Sequence, residues 1–164
     1  MVDVMDPNVQ AAIHQADDAV RIWESHFPHC TFVGTDKQSY SEIDGVLVIN
    51  GTIVRVIEIK GRKVPLDIFR GKLKSQWMVS EDKLIKCQTV AEILRVPFVG
   101  LLHLVTDKVV LCKTLWRPVD GWVCGKRVRM VKTNKDLYGG EKRGLCSFLD
   151  MSDALELRIK TNGQ

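Results

Sequence analysis

The chain has 164 residues, 45% of them hydrophobic and 27% charged, with a formal net charge of +4. That size suits one domain with a packed core, and the composition excludes wholesale disorder. No apolar run approaches the roughly 20 residues of a membrane span, and the start lacks the basic-then-apolar pattern of a signal peptide, so neither a membrane partner nor secretion is expected.

Pro7 to about His26 is predicted to be a helix. Asp6 fits the N-cap and Pro7 the first helical position. Val9, Ile13, Ala16, Val20, Trp23 and Phe27 recur at helical spacing and form one apolar stripe. Asp17 and Glu24 border that stripe. Pro28 ends the helix. His26, His29 and Cys30 cluster there, but without a second ligand pair they predict a polar loop rather than a zinc site. The five cysteines (Cys30, Cys87, Cys112, Cys124 and Cys146) are odd in number and form no C-x-x-C. They predict free thiols in a reducing, cytoplasmic setting.

After a polar stretch, EIDGVLVI and TIVRVIEIK flank Asn50-Gly51, a strong hairpin signal because both residues tolerate positive φ. Gly61 closes the second strand, and VPLDIFRGKLKS reads as a loop or a short turn of helix. Ser80 to Val96 is predicted as a second helix, with Ser80 as N-cap ahead of Glu81 and Asp82 and Pro97 just beyond the end. FVGLLHLVT and KVVLCKTL follow as strands. From Trp116 on, short strands and loops are expected, with a Gly139-Gly140 turn. The order implies an α/β or α+β domain, with a mixed central sheet flanked by helices. One domain spanning 1–164 is expected, with a core of about 7–111 and a basic C-terminal extension of about 112–164.

Charge is unevenly spread. Residues 1–54 hold eight acids and two bases. Residues 55–74 hold seven bases, among them Lys60, Arg62, Lys63, Lys72 and Lys74, against Glu58 and Asp67. Residues 121–143 hold seven more: Lys126, Arg127, Arg129, Lys132, Lys135, Lys142 and Arg143. Two basic blocks beside an acidic segment point to a polyanionic partner.

The hairpin carries the chemistry. Alternation puts Glu58 and Lys60 on one face of the second strand. Symmetric pairing about Asn50-Gly51 sets Asp44 opposite Ile57, and a shift of one residue sets it opposite Glu58. Parity alone leaves both open, and convergence needs twist or a bulge. Two adjacent carboxylates repel unless a cation joins them. Hard oxygen donors suit Mg²⁺ or Mn²⁺.

Asp44, thirteen residues, then Glu58-Ile59-Lys60, after a helix bearing Glu24, resembles the PD-(D/E)XK nuclease superfamily over roughly residues 10–111. The resemblance implies a restriction-endonuclease-like core and a metal-dependent DNA endonuclease, a phosphodiester hydrolase. It implies Asp44, Glu58 and the Ile59 carbonyl as ligands of Mg²⁺ or Mn²⁺, and Lys60 as the catalytic lysine. Glu24 matches the first-helix acid, with Asp17 as the alternative. Gln76, Lys86 and Gln88 are accessory candidates. Ile43 stands where some members have proline. Arg62, Lys63, Lys72 and Lys74 are expected to hold phosphates near the site, and the second basic block further away. Small members are often junction resolvases acting as homodimers, which makes structure-specific cleavage of branched DNA one expectation and restriction-type cleavage its neighbour. RNA stays open as a substrate. A non-catalytic nucleic-acid-binding protein and a module for an acidic protein partner are the alternatives.

Overall fold

The computed structural model describes residues 6–36, 41–133 and 142–159. It is a mixed α+β fold. Helix α1 (Pro7–His26) leads into a meander of β1 (Thr31–Gly34), β2 (Gly45–Ile49) and β3 (Thr52–Arg62). Then come α2 (Leu66–Arg70), β4 (Gln76–Ser80), α3 (Glu81–Leu94), β5 (Phe98–Leu104) and β6 (Val109–Arg117). The chain closes with β7 (Gly121–Trp122), β8 (Lys126–Thr133), β9 (Lys142–Asp150) and β10 (Leu155–Arg158). Strands β1-β2-β3-β5-β6-β10 lie side by side in the main sheet, with β7 paired to β6, and β4-β9-β8 form a second, smaller sheet. Among the described residues, only β3 and β5 pair in parallel; the other pairings are antiparallel.

Local chemistry accounts for the elements that bear the site. Asp6 caps α1, its Oδ1 accepting from the Asn8 N–H at 2.7 Å. Asn50 and Gly51 take φ of 49° and 76°, as a two-residue hairpin turn with this twist requires. Ser80 caps α3 by accepting from the Lys83 N–H at 3.4 Å, and Arg95 ends it in the left-handed region. The parallel β3–β5 pair needs a long crossover, which α2, β4 and α3 supply.

The main sheet is buried on both faces. On one face, Ala19, Ile22 and Trp23 of α1 pack with Ile57, Ile59, Val99, Leu101 and Val110. On the other, Leu84, Cys87 and Ala91 of α3 pack with Val56, Phe98, Leu102 and Leu104, joined by Trp77 and Leu149 of the small sheet. Alternation along β3 thus sends Ile57 and Ile59 toward α1, and Val56 and Glu58 toward α3. Gly100 lets the Trp77 ring come close to β5, because a Cβ there would stand 2.4 Å from the ring.

Three features depart from the expected organisation. Strand β1 lies between the first helix and the polar stretch, and β4 between residues 64–75 and the second helix, two places where no element was expected; the short turn of helix expected within 64–75 is α2. The segment after residue 111 is not an appendage: β10 completes one edge of the main sheet and β9 pairs with β4. Among the described residues, no helix is long and apolar enough to cross a membrane. All five cysteines are free. Lys135 and the Gly139-Gly140 turn lie outside the described residues.

Candidate active site

The β2–β3 register decides whether the carboxylates meet. Next to the turn, Ile49 pairs with Thr52 and Val48 with Ile53. Beyond it Leu47 pairs with Arg55, Val46 with Val56 and Gly45 with Ile57, which leaves Val54 over as a bulge. One more step in this register puts Asp44 across from Glu58. Asp44 bends over the end of β3, where its Oδ2 accepts the Ile59 N–H at 2.7 Å. A residue's N–H and C=O point to the same neighbour in an antiparallel ladder. The Ile59 carbonyl therefore faces the Asp44 side, past the point where β2 ends.

The two carboxylates converge on one cation. Lys83, in the first turn of α3, holds its Nζ 3.2 Å from Glu58 Oε2 and 3.5 Å from Asp44 Oδ1. Glu58 is only 6% exposed. Burial first, and then the Asp44 charge, push its carboxyl from 4.5 up to about 8, with Lys83 pulling the other way. Burial opposes the charge on Lys83, but Glu58 and Asp44 outweigh it and hold the ammonium above its ordinary value. The Cys87 thiol, raised by burial, reaches Glu58 Oε2 at 3.7 Å. It stays protonated and donates.

This cluster lies in a cleft of about 1480 Å³ that runs past the end of β3 between α1 and the small sheet. Asp44, Glu58, Ile59 and Lys60 all line it, as do Arg62, Lys72, Gln76, Lys83 and Lys132. Lys60 is exposed there, on the same face of β3 as buried Glu58. The Arg62 guanidinium donates to the Met78 carbonyl at 3.3 Å. Gln76 reaches the Lys74 carbonyl at 3.4 Å.

Other expected site residues stand elsewhere. Glu24 is near the far end of α1, where its Oε1 accepts the Phe32 N–H at 3.4 Å, and neither it nor Asp17 lines the cleft. From α1 it is Gln15 that reaches in, pressed against Gly61 so closely that a Cβ on that glycine would meet Gln15 Oε1 at 2.0 Å. Lys86 pairs with Asp82 at 3.1 Å, and Gln88 accepts from Trp122 Nε1 at 3.1 Å; neither lines the cleft. Lys126 is taken up by Glu81 at 2.6 Å and lies over the Trp122 ring. Arg127, Arg129 and Arg143 are exposed on β8 and β9, while Lys63 and Lys74 are exposed outside the cleft. Lys142 opens β9.

Lys83 is the member of this cluster that sequence reasoning missed. Its signal was present: it lies four residues before Cys87 and so shares the buried stripe of α3, where a lysine needs an acid to meet.

Asp44 and Glu58 with the Ile59 carbonyl are a hard-oxygen set, and their existing convergence on one ammonium fits a cation. Among the described residues, no group of three or more His, Cys, Asp or Glu side chains gathers for a metal. Two carboxylates suit Mg²⁺, which keeps several waters and commonly takes only one or two protein carboxylates. Compared with protein-family models, curated proteins and solved structures, the chain matches none of them.

Proposed function

We propose that the protein is a metal-dependent DNA endonuclease of the PD-(D/E)XK kind. The observation that carries this reading is the convergence of Asp44 and Glu58 on a single cation, Lys83, in a cleft that also holds exposed Lys60. The element order supports it: α1, the β2–β3 hairpin, α3 and β5 follow the helix, hairpin, helix and strand of the core that the resemblance implies, with α2 and β4 inserted before α3.

In this reading Asp44, Glu58 and the Ile59 carbonyl hold Mg²⁺ or Mn²⁺. When bound there, such an ion would supply an activated water and offset charge on the phosphate. Lys60, extending from the strand that presents Glu58, stabilises the developing negative charge on the phosphodiester oxygens. The Ile59 N–H fixes the Asp44 carboxylate, so little reorganisation is needed when phosphate enters. Lys83 offsets charge between the acids before substrate arrives and contributes a second cation once it does. Lys72 and Lys132 line the approach, and phosphate contacts of this sort give affinity without base preference.

Cleavage of plasmid and branched DNA with Mg²⁺, with Mn²⁺ and with EDTA tests the reading. Wild type cleaves only with the metal, and Asp44→Asn or Glu58→Gln lowers the rate a hundredfold or more, on the order expected for losing transition-state charge stabilisation. Cleavage that survives both substitutions removes the assignment. Metal-independent binding with no cleavage leaves a nucleic-acid-binding protein.

A further inference from the structure

The apolar stripe of α1 is used in two ways. Ala19, Ile22 and Trp23 in its later turns are buried against the sheet, whereas Val9 and Ile13 in its first turns face the cleft. Leu73, Met78 and Phe148 line the same cleft from the other elements, and Leu73 and Met78 remain 41% and 37% exposed. The Arg129 guanidinium lies 5.8 Å from the centre of the Phe148 ring. The cations Lys60, Lys72 and Lys132 line the cleft with these apolar side chains, as does the buried Glu58.

A duplex is a poor fit to such a channel. Its outside is sugar and phosphate, and pressing phosphates against apolar walls strips their water without giving partners. It is also stiff on the scale of one small domain, so it cannot fold a phosphate down to a buried carboxyl without deformation. An unpaired strand bends freely and presents apolar base faces. Bases stack on aromatic and apolar side chains while the backbone follows a line of cations. We infer that the cleft receives an unpaired DNA strand, with bases against Phe148, Met78 and the first turns of α1 and with phosphates along Lys60, Lys72 and Lys132. The inference rests on the nuclease reading for which bond is cut, but its binding claim stands apart from catalysis.

Fluorescence anisotropy in EDTA, where nothing is cut, tests it with three probes: a short single strand, the blunt duplex of the same sequence, and an abasic single strand of equal length. The single strand binds wild type at least about tenfold more tightly than the duplex, and the abasic strand loses that advantage. Phe148→Ala lowers single-strand affinity by about tenfold and leaves duplex affinity unchanged, whereas Phe148→Trp keeps the preference. A duplex that binds as tightly as the single strand overturns the inference. So does an abasic strand that binds as well as the normal one, a result that needs no variant to fold. The nuclease reading is tested separately: if the strand preference fails while Asp44→Asn still abolishes metal-dependent cleavage, only the inference falls.

Discussion

At Glu58, burial beneath α3 and the nearby Asp44 charge both favour the neutral acid, raising its carboxyl from 4.5 to about 8. The consequence for stability has a definite sign. Between about pH 4.5 and 8 the folded chain keeps a proton that the unfolded chain has released, so stability is highest below that window and falls as pH rises through it. Thermal melts in EDTA should show this fall, and Glu58→Gln should flatten it. Above pH 8 that variant should exceed wild type by on the order of a few kcal/mol. Lys60 behaves oppositely. It is exposed, so Lys60→Ala should change stability by less than about 0.5 kcal/mol while cutting the cleavage rate a hundredfold or more. Comparable loss of both would mean a structural lysine. Asp44, Glu58 and Lys60 were legible in the sequence because an acid and a base at the end of an apolar strand lack a packing reason. Glu24 stands away from the cleft because the cleft opens beside the first turns of α1, and Gln15, which does line it, sits nine residues earlier and half a turn round the helix, on the side opposite Glu24.

The elements that set the site differ in how plainly the sequence marks them. Helix α1, the Asn50-Gly51 hairpin, α3, β5 and β6 each carry a strong local pattern with a cap or turn residue at the boundary. Strand β1 is four residues long and mostly exposed, so it shows little hydrophobic pattern. Strand β4 runs directly into α3, with Ser80 both its last residue and the helix N-cap, and no turn separates them. Its partner β9 lies about seventy residues away, as in Met78 opposite Phe148, and no short-range pattern encodes that pairing. The bulge at Val54 is equally silent, yet it moves Asp44 from opposite Ile57 to opposite Glu58. Two substitutions probe this level. Gly100→Ala should destabilise the fold by roughly 1–3 kcal/mol in denaturant melts, because its Cβ would meet the Trp77 ring at 2.4 Å in a filled core. Gly51→Val should cost about 1 kcal/mol or more, since φ of 76° is strained for a β-branched residue even with open space around it. Unchanged melting of either variant would mean that the turn or the β4–β5 contact is looser than described.

For the whole molecule, acids and cations meet in one cleft. Acids sit where β3 and α3 hold them, and cations line the same cleft. The basic residues are therefore not equivalent: Lys60 and Lys72 of the first block and Lys132 of the second line the cleft, whereas Lys126 of the second block pairs with Glu81 outside it. DNA affinity should fall steeply with salt, and Lys72→Ala should reduce the log–log slope by about 0.7, the value for one single-strand phosphate contact. Lys126→Ala should leave that slope unchanged and lower stability instead. The central claim is that Asp44 and Glu58 together hold one divalent ion. Calorimetric titration of Mn²⁺ at pH 7, repeated in buffers of different ionisation enthalpy, measures both the ion and the proton it displaces from Glu58. The predicted result is one ion per chain with release of about one proton, the release vanishing well above pH 8 and the binding lost in Asp44→Asn and Glu58→Gln. Binding that is absent in wild type, or unchanged in both variants, would contradict it.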